Sequence, residues 1–160
     1  KTIKNYKNLL MKRNENLIPL SRDHHFGLLC SWKIRQGIKK DISYDRIKNY
    51  INYYWEKNLN RHFEIEDIVL PEMENNSLQV QMEKEHIEIK KLLKSINNSN
   101  DKKLLGDFAD ALRNHIRFEE RMYFPHLEEY LTDEKMNEIG NQLNQIHQKE
   151  EDSYDDEFWK

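Results

Sequence analysis

Two segments of this 160-residue chain carry the same pair of side chains at the same spacing. His62-Phe63-Glu64-Ile65-Glu66-Asp67 and His115-Ile116-Arg117-Phe118-Glu119-Glu120 both read His-x-x-x-Glu followed by a second acid. On an α-helix, residues four apart stack on one face about 6 Å apart along the axis, so each segment can aim an imidazole and a carboxylate at one point. Two such helices facing one another would make a metal site. Two further segments carry an acid followed by a histidine, Asp23-His24 and Glu85-His86. Four imidazoles and two carboxylates suit iron, manganese or zinc, but not the all-oxygen shell that calcium prefers. Carboxylates from facing helices can bridge two metals while histidines cap each one, leaving positions open for a small ligand.

The elements that must position these residues are helical. Charged residues make up 34% of the chain, with only four glycines and three prolines, which favours long solvated helices over a turn-rich β fold. Pro19 and Ser21 mark the start of a first helix through His24, Leu28, Ser31 and Arg35 to about Gly37, with Ser21 as the expected cap. Ser43 caps a second, which carries Ile47, Tyr50, Ile51, Tyr54, Leu59, His62, Ile65 and Glu66 inward and stops before Pro71. A third runs from about Leu78 through Met82, His86, Ile89 and Leu93 to the breaker cluster ending at Asn100. Asp101 opens a fourth, bearing Leu105, Phe108, Leu112, His115 and Glu119, with a bend or stop expected near Pro125. Thr132 caps a last helix, and the acidic tail ends in Phe158 and Trp159, which fray unless they dock.

No period-two strand pattern occurs, and the connections are short. The expectation is an all-α, antiparallel up-down four-helix bundle with short helical extensions at both termini. It divides into an N-terminal helical arm over 1–16, the bundle over 17–131, and a C-terminal helix and acidic tail over 132–160. His24 and His86 lie within about two turns of the starts of their helices, and Glu66 and Glu119 within about two turns of the ends of theirs. In an antiparallel bundle those starts and ends meet, so all four helices deliver side chains to one layer.

Composition narrows the function. The formal charge of −3 is spread through mixed-sign segments, with no basic stripe, so nucleic acid is not expected as a partner. The single cysteine, Cys30, rules out an intrachain disulfide and a thiolate cluster, and reads as a small buried core residue. No apolar run approaches the ~20 residues that span a bilayer, so the expected setting is a reducing cytoplasm, with no membrane partner, as a monomer or homodimer.

As a set, Arg22-Asp23-His24, Trp55 with His62-Phe63-x-x-Glu66-Asp67, Glu85-His86, and His115-Ile116-x-x-Glu119-Glu120 through Phe124-Pro125 resemble the hemerythrin-like, or HHE cation-binding, proteins. The resemblance covers about Leu17 to Leu131. It implies a four-helix bundle around two non-haem iron ions, with zinc or manganese as alternatives. Glu66 and Glu119 would be the bridging carboxylates, and His24, His62, His86 and His115 the terminal ligands. Oxygen-carrying members place a second histidine four residues after the first on the third helix, where this chain has Lys90. They also place an aspartate five residues after the fourth-helix histidine, whereas here Glu119 comes at four. Both departures look like the bacterial and regulatory branch, associated with dioxygen, nitric oxide, peroxide or iron handling and with sensing.

The expected function is therefore binding or reduction of such a small ligand in sensing, scavenging or iron handling. The alternatives are iron-centre repair or iron delivery, and a non-enzymatic bundle stabilised by metal. Several residues have competing readings. His24 is preferred to His25 because it continues the row of Leu20, Leu28 and Ser31, and a further ligand could come from His25 or Glu83. His126 is read as a local hydrogen-bonding group and His147 as solvated. Tyr50, Tyr54 and Trp55 are read as core rather than as the lining of a path. Asp23, Asp67, Glu85 and Glu120 could orient imidazoles, although adjacency to the ligands points them toward solvent.

Overall fold

The computed structural model describes residues 13–160, so most of the expected N-terminal arm lies outside the described residues. The chain enters through Arg13 and a 3-10 turn, Glu15–Leu17, whose Asn16 amide donates to the Asn14 side chain. Helix α1 spans Ile18–Lys39, with Pro19 in the first turn, where its missing N–H breaks no bond. Ser21, expected as the cap, lies inside this helix. Asp41, at φ 55°, turns the chain, a conformation that Asp tolerates better than most residues.

Ser43 accepts the Arg46 amide to cap α2, Tyr44–Tyr54. A π turn over Trp55–Leu59 then carries the same rod into α3, Asn60–Val69, which ends as Leu70 becomes extended before Pro71. Asn76 caps α4, Ser77–Asn97, and Asp101 caps α5, Lys102–Phe118. A second π turn, Glu119–Tyr123, leads into α6, Phe124–Tyr130, and Thr132 caps α7, Asp133–Ile146. The described residues contain no strand. α1, α2–α3, α4 and α5–α6 are the four rods of the bundle, and α7 packs on α3 and the 3-10 turn.

The chain does not break at Pro125. In the wider π register the Phe124 amide reaches back five residues to the Glu119 carbonyl. Proline cannot supply the next such bond, and the Glu120 carbonyl instead accepts Arg13 Nη2 at 2.7 Å. The extra residue in each π turn also lets neighbouring side chains both face inward: Asn58 with Leu59, and Glu119 with Glu120, are all buried.

Apolar side chains form two separate clusters along the bundle. One gathers Cys30, Ile34, Tyr50, Ile51, Phe108 and Leu112, and the other Leu20, Val69, Met82, Phe124, Ile139 and Leu143. Tyr50 and Tyr54 belong to the first, as core.

The tail docks. Phe158 and Trp159 are 3% and 8% exposed. Their rings lie 5.6 and 5.4 Å from Tyr50, and Lys33 Nζ sits 4.0 Å over Trp159. Gly37 makes room, since a Cβ there would come within 2.7 Å of the Phe158 ring. Lys33 and the Tyr50 hydroxyl both donate to Asp152, at 2.8 and 2.6 Å. Replacing Phe158 by Ala should cost about 3 kcal/mol, at the low end for a buried aromatic because it sits at the edge of the core. For a domain of this size that lowers Tm by roughly 6–12 °C. An unchanged thermal melt would mean the tail is not bound.

Candidate metal centre

A buried polar layer lies in the bundle, made of His24 from α1, His62 and Glu66 from α3, His86 from α4, His115 from α5 and Glu119 from the π turn after it. All six are 4% exposed or less. Ligating atoms of Glu66, His86, His115 and Glu119 fall within 4.8 Å of one another, and so do those of His24, His62 and Glu119. The two groups share one side chain, Glu119. Its Oε1 is 3.1 Å from His24 Nε2, 3.1 Å from His115 Nε2 and 4.0 Å from His62 Nε2. Glu66 Oε1 lies 2.7 Å from His62 Nε2 and 3.6 Å from His86 Nε2.

These contacts are close but largely off the hydrogen-bond line. Nε2 of His62, His86 and His115, both oxygens of Glu66 and Oε2 of Glu119 are buried with no hydrogen-bond partner. Buried polar atoms are almost always paired, because leaving one bare costs about 1–3 kcal/mol. Several bare nitrogens and carboxylate oxygens converging on one point are what a cation would satisfy, so the donor set fits a metal. The Hemerythrin HHE cation binding domain family matches residues 23–127. The chain belongs to this family. Comparisons with curated proteins and with solved structures found no match.

In this hemerythrin HHE domain each imidazole has an acid behind it, supplied by a different helix. Asp23 on α1 accepts His62 Nδ1–H at 2.7 Å, and Glu85 on α4 accepts His115 Nδ1–H at 2.9 Å. Glu120, following α5, accepts His24 Nδ1–H at 2.7 Å. Asp67 on α3 is the looser case, 3.9 Å from His86 Nδ1. The acids form a closed ring, first helix to second, second to third, third to fourth, fourth to first. A carboxylate can only accept, so Nδ1 keeps its proton, and it is Nε2 that offers its lone pair inward once the ring is neutral. Sequence adjacency had pointed these acids to solvent. Helical geometry does separate neighbours by about 100°, and the direction that leaves the layer is the one that faces the next helix.

Ring stacking fixes the imidazoles further. His86 lies 3.8 Å from Phe63 and His24 5.4 Å from Phe124, both nearly parallel. Burial disfavours charge on His24, but its hydrogen bonds and charge interactions with Glu119 and Glu120 outweigh this, pushing its pKa up to about 10. His115 is likewise raised to about 9 against burial by Glu119 and Glu85, and His62 lies well above the ordinary range through Glu66, Asp23 and Glu119.

The other candidates fall elsewhere. His25 is partly exposed, edge-on to Phe26, and belongs to neither group of four or three. Glu83 is exposed and outside both. His126 does not bond locally as expected: its Nε2 accepts the side-chain amide of Asn76, the cap of α4, at 2.8 Å. His147 is not solvated as expected: its Nε2 is 2.9 Å from Asp23 Oδ1, because the chain beyond α7 folds back over α1. The tail also brings in Glu150, 3.2 Å from the Tyr54 hydroxyl and near Asp23 and His62. Burial and the Asp23 charge raise its pKa to about 8. Arg13 is a third participant, 3.0 Å from Glu120 Oε2. No local spacing could have revealed Arg13 or Glu150, since both arrive from segments distant in sequence.

Beside the layer is a small space of about 10 Å³, walled among others by Gly27, Tyr54, Leu59, Leu112 and Ile116 and by Asp23, His62 and Glu150. It is room for roughly one water-sized molecule in a mostly apolar lining. Among the described residues no helix is long and apolar enough to cross a membrane.

Proposed function

We propose that this hemerythrin HHE domain holds two non-haem iron ions and binds or reduces dioxygen, nitric oxide or peroxide, in sensing, scavenging or iron handling. The observation that carries the reading is the pair of ligand groups sharing Glu119, with bare imidazole and carboxylate atoms converging between them. In this reading His24 and His62 hold one ion, His86 and His115 the other, and Glu66 and Glu119 lie between. Zinc or manganese would also accept these donors. A bound iron pair supplies electrons and vacant coordination positions. The chain's own residues do the rest. The acids hold His24, His62 and His115 in one orientation, stacking on Phe63 and Phe124 restrains His86 and His24, and Leu59, Leu112 and Ile116 narrow the small space. The Tyr54 hydroxyl lies in that wall with its proton given to Glu150, so it can accept from a small guest. The proposal includes a cytoplasmic setting and a monomer or homodimer, without a nucleic-acid partner.

Metal analysis with electronic spectra is the deciding test. Two irons per chain are expected, and the reduced protein should change spectrum on exposure to at least one of dioxygen, nitric oxide or peroxide. One zinc per chain and indifference to all three would overturn the reading in favour of a metal-stabilised bundle.

Gly27 offers a sharper test of where the guest sits. A Cβ there would lie 2.5 Å from Ile116 Cδ1, the movable end of a side chain, so Val would grow into the small space. Gly27→Val should keep the metal content while slowing the reaction with the small ligand about tenfold or more. A variant reacting at the wild-type rate would place the guest elsewhere.

Proton release gives a test independent of spectra. In the metal-free protein His24, at about 10, and His115, at about 9, are charged at pH 7. Metal binding requires neutral imidazoles, so uptake at pH 7 should release roughly two protons or more into a weakly buffered indicator solution. The charged-imidazole contribution to metal-free stability is complete below about 6.5 and is lost as pH rises through 9–10. Stabilisation by metal should therefore grow across that window. Uptake without proton release would contradict the assignment.

A further inference from the structure

An open cleft of about 350 Å³ runs between α3 and α4 from solvent to the polar layer. Its floor includes Glu66, 0% exposed, and His86, 4% exposed. Both Glu66 oxygens and His86 Nε2 are without hydrogen-bond partners, so the buried end of the cleft presents bare donor atoms. Its exposed rim carries three carboxylates, Asp67, Glu72 and Glu83, against one cation, Lys90. Asp67 stands between rim and floor, 3.9 Å from His86 Nδ1.

A second cleft, about 550 Å³, approaches the layer from the α7 side, but its lining mixes Arg22, His147 and Lys149 with Asp23 and Glu150. There the way inward is occupied by paired groups, since Asp23 is bonded to both His62 and His147.

We propose that the α3–α4 cleft is the uptake route for a divalent cation, with Glu72 and Glu83 as capture groups that pass the ion to Glu66 and His86. The inference rests on the reading of the polar layer as a metal centre. A ring of carboxylates focuses field and raises the local cation concentration, increasing on-rates by ten-fold or more at low salt. Exposed carboxylates bind a hydrated cation loosely enough to release it, while the buried imidazole and carboxylate atoms below offer stronger donors. Lys90 opposes the rim charge. At the position where oxygen carriers of the family have a further histidine, this chain therefore has a brake on cation uptake rather than a ligand.

The test is stopped-flow uptake of cobalt(II) by the metal-free full chain, with final metal content measured separately. The double variant Glu72→Gln, Glu83→Gln should load about tenfold more slowly at low ionic strength and reach the wild-type metal content. Lys90→Gln should load faster, and all differences should shrink at high salt. Wild-type kinetics in the double variant would overturn the route, as would slowing by Glu150→Gln instead. A lower final metal content in the double variant would also overturn it, because those carboxylates would then be ligands of the centre itself. If the wild-type chain takes up no metal, the metal-centre reading fails first and takes the route with it.

Discussion

On the two-iron reading, Glu119→Ala should lose both metals at once, taking the bound iron from two per chain to near none. The reason is geometric: Glu119 is the one side chain common to both groups of ligating atoms, with Oε1 facing imidazoles from α1, α3 and α5. Losing even a residue that only orients a ligand costs 10–100-fold in metal affinity, and a shared ligand must cost more on each side. Glu66→Ala should be less even-handed, because Glu66 falls in the group of His86 and His115 and not in that of His24 and His62, although its Oε1 also lies 2.7 Å from His62 Nε2. Elemental analysis of both purified variants checks the ranking. Full iron content in Glu119→Ala would show that the shared position is not a bridge.

Metal removal should have the second-largest effect. Chelation leaves a layer of imidazoles and carboxylates between two apolar clusters, with six or more of their atoms bare or poorly directed. At free metal a thousand times Kd, binding to the native state alone adds about 4 kcal/mol per site. One site is then worth roughly 8–16 °C in Tm for a domain of this size, and two sites more. The loss should be larger at pH 8 than at pH 6, where the metal-free protein keeps its imidazolium–carboxylate pairs. Thermal melts with and without chelator at both pH values measure it. Equal melts would mean that the layer is satisfied without a cation.

The docked tail and Arg13 give the centre connections that extend beyond the four-helix bundle. Arg13 bonds both the carbonyl and the side chain of Glu120, which in turn holds His24, while Glu150 reaches toward Asp23 and His62. Changes at either terminus can therefore be felt at the imidazoles without altering any side chain of the layer.

The sequence by itself determined the helices, their caps at Ser43, Asp101 and Thr132, and the six side chains that meet in one layer. These follow from local rules: a 3.6-residue period, caps that satisfy free amides, and a four-residue spacing that stacks His on Glu. Tertiary structure alone decided three things. It passed the fourth rod through Pro125, because the π turn and Arg13, from the far end of the chain, took up the unmet carbonyl. It decided between the two roles open to Asp23, Glu85 and Glu120, making them acceptors for imidazoles on other helices rather than solvent groups, a relation that no spacing within one helix encodes. It also brought His147 and Glu150 to the α1–α3 side of the layer, because the tail's aromatic end finds its burial beside Gly37 and Tyr50. Periodicity reports which face a residue takes, and only packing reports what stands opposite that face.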